Sequence, residues 1–294
     1  MNDAAHIAPF NRALLRKRRT RLHGKFAEAD FLYNEITTRL SERLEDISRT
    51  FATAAVLGAR GAVPPLANVD RVFHTDMTAH PGANLVCDED MLPIKPASLD
   101  LIFSPMALHW VNDLPGALIQ MRQALKPDGL LLAAFPGGNT LHELRHCLLQ
   151  AEAALTGGAA PHIVPFIDLR DAGSLLQRAG FALPVTDADR INVTYRNPMR
   201  LLHDLRLMGE GNAMAAAPQK PLRRDVLMEA MRLYQAEFAN ADGTVPATFE
   251  IVYLTGWAPH PDQPKPLRPG SAKARLADAL GVPEISAGEK PGEG

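Results

Sequence analysis

The stretch LDLIFSPMALHWVNDLPGALIQMRQALKPDGLLLAAF, residues 99–135, decides the fold class. Leu99-Asp100-Leu101-Ile102-Phe103 is a short apolar run without helical spacing, the pattern of a strand buried on both faces. Asn112 or Asp113 is placed to cap a helix, with Pro115 in the first turn, where a missing N–H costs nothing. Leu118, Met121, Ala124 and Leu125 share one helical face. Lys126 stands near the helix end, Pro127-Asp128-Gly129 breaks the chain, and Leu130 to Phe135 is a second buried strand. Two such strands joined by a helix form a parallel crossover. The ligand crevice of such a sheet lies beyond the carboxyl ends of its strands. Ser104-Pro105-Met106 and His109-Trp110 are therefore expected at the working edge.

Strands are also expected at Phe51 to Leu57, Arg71 to His74, Leu85 to Cys87, 181–195 and 248–257. Asp168 or Asp171 caps a helix through Leu175, Leu176 and Ala179 that Gly180 closes, and Asn197-Pro198 opens another. The expectation is an α/β, Rossmann-like chain with a mainly parallel seven-stranded sheet. It divides into a basic helical N-terminal extension (1–50), a main domain (51–258) and a Pro/Gly-rich mobile tail (259–294) with at most a short helix near Ala274 to Leu280.

At 294 residues the chain is long enough to bury roughly three quarters of its unfolded surface. A hydrophobic content of 46% and a charged content of 22% suit a globular protein. A net charge of −2 makes no global case for nucleic acid. No apolar run reaches the roughly 18 residues of a membrane span, and the N-terminus has no secretory apolar core. Cys87 and Cys147 are too few for a disulfide framework and fit a reducing compartment, bacterial cytoplasm first and mitochondrial matrix second. Arg12, Arg16, Lys17, Arg18, Arg19, Arg21 and Lys25 form a dense cationic run. It reads first as a solvated helix face. The functional alternative is a surface for an acidic partner or for peripheral contact with an anionic membrane.

Residues 99–135 resemble class I methyltransferases. LHWVNDLP, LKPDG, GGNTLHELR, PHIVPF, LLQRAGF, DGTVPAT and GSA, in this order and spacing, resemble more narrowly the complex I assembly factors of methyltransferase fold. That resemblance runs from about Phe10 to about residue 275 and implies S-adenosylmethionine as cofactor. It also implies an enzyme acting on a protein substrate, a quinone-module subunit of complex I, with arginine hydroxylation or methylation as the reaction. The alternatives are an acyl-carrier O-methyltransferase of the biotin-pathway type, which has similar HW segments, and a non-catalytic assembly chaperone.

Against the family pattern D-x-G-x-G-x-G, the segment Val56-Leu57-Gly58-Ala59-Arg60-Gly61-Ala62 keeps only Gly58 cleanly. Val56 replaces the acid and Arg60 the second glycine, and any helix before the next strand must be very short. Either Arg60 pairs with the carboxylate of a bound cofactor, or the pocket is degenerate. By the resemblance, Asp76 accepts the ribose hydroxyls, and Asp88, with Glu89 beside it, lies near the adenine. Gly58, Arg60, Gly61, Asp76, Asp88, Glu89, Ser104 and Trp110 make up the candidate cofactor site. His109 is the candidate general base.

Two metal-like patterns are weighed and set aside, so no metal site is expected. His142-Glu143-Leu144-Arg145-His146 satisfies H-E-x-x-H. However, Thr140 and Glu143 have capping-box spacing, which gives Glu143 a structural task. His74-Thr75-Asp76 matches part of an iron triad without a third ligand.

Overall fold

The computed structural model describes residues 8–61, 63–217, 221–264 and 281. Among these, seven α-helices run in chain order: α1 Arg12–Leu22, α2 Phe31–Glu45, α3 Leu114–Ala124, α4 His142–Thr156, α5 Leu169–Arg178, α6 Pro198–Leu207 and α7 Arg224–Phe238. The strands are β1 Phe51–Leu57, β2 Val69–Asp76, β3 Leu85–Val86, β4 Leu99–Pro105, β5 Leu125–Pro136, β6 Ala182–Tyr195 and β7 Val245–Trp257. They form one sheet in the order β3-β2-β1-β4-β5-β7-β6. β1 to β5 pair in parallel, and β7 runs antiparallel to both β5 and β6, so the sheet is mixed.

Period-two alternation divides each central strand between two cores. Ala54 and Val56 of β1, Leu101 and Phe103 of β4, and Leu130 and Leu132 of β5 face the core that also holds Leu40 of α2, Leu144 of α4 and Tyr234 of α7. Ala55, Leu57, Ile102, Leu131 and Ala133 face the other core, with Leu118 of α3 and Leu176 of α5. Both faces are covered, which is why these strands read as unbroken apolar runs.

The local signals act as expected at several helix starts. Asp113 accepts from the Gly116 amide to cap α3, Asp168 from the Asp171 amide to cap α5, and Asn197 from the Met199 amide to cap α6. Three expectations are corrected. α3 ends at Ala124, and Leu125 already pairs with Leu99 as the first residue of β5. Pro127-Asp128-Gly129 therefore does not precede the strand. A register shift between Leu99 and Leu101 absorbs the extra residues, with Asp128 at φ 62°. The capping box does not form. Leu141 precedes α4 without a side-chain cap, the Thr140 hydroxyl donates to the Glu250 carbonyl, and Glu143 is buried accepting from the Thr248 hydroxyl. No helix follows β1 among the described residues of 58–68, and α2 packs on β4 and β5.

One compact unit extends to Pro259, and a second begins at His260. The expected tail, with its short helix, lies almost wholly outside the described residues, as does Ala62 of the glycine segment.

Candidate functional site

The carboxyl ends of β1 to β4 gather the sequence candidates. Asp76 ends β2 and is buried; its Oδ1 accepts from the Thr78 amide at 2.7 Å and the Thr78 hydroxyl at 2.6 Å, while its Oδ2 has no partner. The buried hydroxyl of Ser104, near the end of β4, is also unpartnered. Gly58 leaves β1 at φ 75°, where an added Cβ would come within 2.8 Å of the Ala107 Cβ. Only glycine combines that backbone angle with that approach. The Gly58 carbonyl accepts from the Tyr33 hydroxyl of α2 at 3.0 Å. Gly61 lies under the Phe26 and Tyr33 rings.

The cationic run is not simply a solvated face. Arg12, Arg16 and Arg19 recur at i, i+4 and i+7 and share one side of α1. Arg12 is buried; its guanidinium bonds Glu89, reaches Asp88 at 2.5 Å and donates to the Trp110 carbonyl at 3.2 Å. Arg16 reaches the other Asp88 oxygen at 2.6 Å. Burial alone would raise the Asp88 pKa, but Arg12 and Arg16 hold it below the ordinary carboxylate range. Deeper burial leaves Glu89 raised despite Arg12 and Arg19. The start of α1 is anchored as well: the Phe10 amide donates to Asn112 Oδ1, the Asn11 amide donates to the Ala213 carbonyl, and the Phe10 ring meets Trp110 edge-on at 5.2 Å.

Glu210, which is not among the residues expected from the sequence, is the hub. Gly209 closes α6 at φ 72°, and the Glu210 amide donates back to the Leu205 carbonyl, a C-terminal turn that fixes where the acid sits. Its Oε2 accepts from Trp110 Nε1 at 2.6 Å and contacts His109 Nε2 at 2.8 Å. Its Oε1 accepts from Arg60 at 2.7 Å and faces Arg19 at 3.5 Å. Burial would raise the Glu210 pKa, yet His109, Arg19 and Arg60 together hold it well below the usual carboxylate range. Arg60 also donates to the Met208 carbonyl, and burial and Arg19 push its own pKa down to about 10. The side chain expected at the glycine loop is thus committed to Glu210. His109 has its Nε2 turned to Glu210 and a buried, unpartnered Nδ1.

Beside this cluster, above the carboxyl ends of β4 and β5, lies a cavity of about 540 Å³. Met106, Pro136 and Trp110 line it with side chains from α1, α4 and α6. The space beside Asp76, bounded by Arg19, Arg60 and His80, is only about 10 Å³. Of the two metal-like patterns, His142 contacts the Asn139 carbonyl at 3.2 Å and His146 contacts Glu237 at 3.1 Å. Among the described residues no group of three or more His, Cys, Asp or Glu is gathered to hold a metal ion.

A methyltransferase-domain family model matches residues 65–133. The "Arginine-hydroxylase NDUFAF5, mitochondrial" of Danio rerio is 40% identical over 263 residues, 85% of this chain and 82% of that protein. The chain belongs to this family. The chain is also similar to a "Malonyl-[acyl-carrier protein] O-methyltransferase" from a Methylovorus strain, 30% identical over 278 residues, 85% of this chain and 90% of that protein. The solved YcgJ protein of Bacillus subtilis superposes with a TM-score of 0.51 at 12% identity, covering 77% of this chain and 99% of that one, which supports the fold alone. In this family member no helix among the described residues is long and apolar enough to cross a membrane.

The fold implies S-adenosylmethionine, and the donors partly fit it. Asp76 Oδ2 and Ser104 Oγ are buried atoms still wanting partners, as a ribose or amino-acid group would supply. The space does not fit while α1 is docked: about 10 Å³ remains beside Asp76, and Asp88 is already paired with two arginines. Two signals for the missed residues were present in the sequence. One is the i, i+4, i+7 spacing of Arg12, Arg16 and Arg19 opposite the acidic triplet Asp88-Glu89-Asp90. The other is a lone acid between two glycines at Gly209-Glu210-Gly211.

Proposed function

We propose that this protein modifies an arginine side chain of a protein substrate, a quinone-module subunit, during assembly of respiratory complex I. Its compartment is the bacterial cytoplasm or, in a eukaryote, the mitochondrial matrix. The observation that carries the reading is the Glu210–His109–Trp110 cluster at the end of β4, in a chain that aligns with arginine hydroxylases over 85% of its length. Glu210, kept ionised by Arg19 and Arg60, orients the imidazole with Nε2–H toward the carboxylate, so the lone pair lies on Nδ1. An imidazole so held accepts a proton at Nδ1 from a group brought within hydrogen-bond reach. The His109 side chain is only 2% exposed, with the Trp110 and Phe166 rings beside it, so access to it requires a neighbouring side chain or segment to move. S-adenosylmethionine, when bound, supplies an electrophilic methyl group, and Asp76 and Ser104 are the residues that would hold it. Hydroxylation converts a C–H of the target to C–OH and draws on dioxygen and a two-electron donor from outside this chain, with the second oxygen leaving as water, whereas methylation adds one CH₂ from S-adenosylmethionine. Intact-mass spectrometry of complex I subunits from a deletion strain is expected to show one quinone-module subunit lighter by one oxygen. Unchanged subunit masses with failed assembly would establish a chaperone instead.

A further inference from the structure

We propose that the cavity above the carboxyl ends of β4 and β5 binds an amphipathic anion, an apolar chain ending in a carboxylate or phosphate held by Arg18, Arg21 and Arg206. The cavity, about 540 Å³, falls within the range of roughly 300–1,000 Å³ common to small-molecule sites. Leu144 and Leu148 of α4, Leu205 of α6, Phe166 and Phe249 give it apolar walls that suit a hydrocarbon chain. Three arginines and one acid line it, beside the polar Thr140, His162 and Asn212. Those three are already engaged, Thr140 with the Glu250 carbonyl, His162 with Glu152 at 3.1 Å, and Asn212 with the Pro161 carbonyl and the Met214 amide.

The acid is Glu210, and its two oxygens already serve Trp110, His109, Arg60 and Arg19. It has no capacity left for a guest. Among the arginines, Arg18 donates to the Gly211 and Asn212 carbonyls at 3.0 and 2.8 Å, bonds that leave its positive charge unbalanced. Arg21 and Arg206 are exposed and have no acidic partner among the described residues. Burial lowers the Arg18 pKa, and Arg21 is near enough to add to that shift. The contrast with the other side of α1 is direct, since Arg12, Arg16 and Arg19 each face a carboxylate there. Uncompensated cations at an apolar opening favour an anion and disfavour a cation by the same charges. A neutral chain would gain only its burial. The inference does not rest on the proposed reaction: Trp110 and Glu210 of that cluster line the cavity, but they are bonded to each other at 2.6 Å and neither is asked to hold the guest.

Calorimetric titration of the full chain with four single-chain probes, each below its micelle concentration, tests the assignment. Dodecanoate or dodecyl phosphate is expected to bind at least tenfold more tightly than 1-dodecanol, with dodecyltrimethylammonium weakest. A preference for the carboxylate points to a fatty-acid source and a preference for the phosphate to a phospholipid-type head, and either supports the site. Shortening the carboxylate from dodecanoate to hexanoate should cost about fourfold per CH₂ removed. Replacing Arg21→Ala and Arg206→Ala together should remove at least tenfold of the anion's affinity and leave dodecanol unchanged. Both arginines are exposed, so folding is expected to survive, and a far-UV spectrum checks it. Equal binding of dodecanol and the anions would reduce the cavity to an unspecific apolar hole and overturn the proposal. Tightest binding of the ammonium probe, or no binding by any of the four, would also overturn it.

Discussion

The two halves of the sheet's carboxyl edge are built from the same residue types and are opposite in state. Over β2 and β3, arginines of α1 meet acids: Arg12 with Asp88 and Glu89, Arg16 with Asp88, and the space beside Asp76 is about 10 Å³. Over β4 and β5, Arg18 and Arg21 of the same helix and Arg206 of α6 line a cavity of about 540 Å³ and have no carboxylate partner among the described residues. One helix thus closes one half with one face and charges the mouth of the other half with its second face. An arginine is structural where an acid opposes it, and available to a ligand where none does.

The largest effect should come from the group shared by both halves. Glu210→Gln leaves Arg19 and Arg60 buried without the carboxylate they directly face. Breaking a buried pair in this way costs about 3–5 kcal/mol. Urea unfolding monitored by circular dichroism measures it. A loss below about 1 kcal/mol would mean that Glu210 does not hold the two halves together.

Next is the closed half alone. Arg12→Ala removes hydrogen bonds to two carboxylates and the Trp110 carbonyl, for about 2–3 kcal/mol of stability. Because the closed space excludes a nucleoside, weakening α1 should also increase the open fraction. Apparent affinity for S-adenosylmethionine then rises, at least threefold, in proportion to that fraction. If calorimetry shows weaker binding, Arg12 is a ligand contact and α1 is a wall of the site.

Acid should open the same half. The pKa values of Asp88 and Glu210 are depressed, so the stability they lend is complete above the ordinary carboxylate range of about 4 and is lost as pH falls through their folded values. Glu89, with a raised pKa, works in the opposite sense and offsets part of the loss. In a Trp257→Phe background, emission from Trp110 should shift to the red below about pH 4, before far-UV ellipticity is lost. Coincident transitions would show that α1 does not release separately.

The smallest effect belongs to the open half. Arg206→Ala removes an exposed side chain that has no acidic partner among the described residues, and should change stability by less than about 0.5 kcal/mol. A cost above 1.5 kcal/mol would mean that Arg206 has a structural partner and that the contrast between the halves is false.

Local physics made the scaffold readable. The apolar runs of β1, β4 and β5 signal burial on both faces, and Asp113, Asp168 and Asn197 sit at the starts of helices that need an acceptor for an orphan amide. The order of motifs led to the family. The alternatives left open at Arg60 and at the cationic run depended on partners distant in sequence: Arg60 meets Glu210 across 150 positions and Arg12 meets Asp88 across 76. Thr140 and Glu143 show the same limit in reverse, because their spacing predicts a local cap while β7 presents the Glu250 carbonyl and the Thr248 hydroxyl. The chain's own pattern determined the strands, the helix starts and the edge at which the site lies. Which arginine is neutralised, which acid is still free and which half of that edge has room were decided only by tertiary structure, because charge pairing and cavity volume depend on what the folded chain places opposite each side chain.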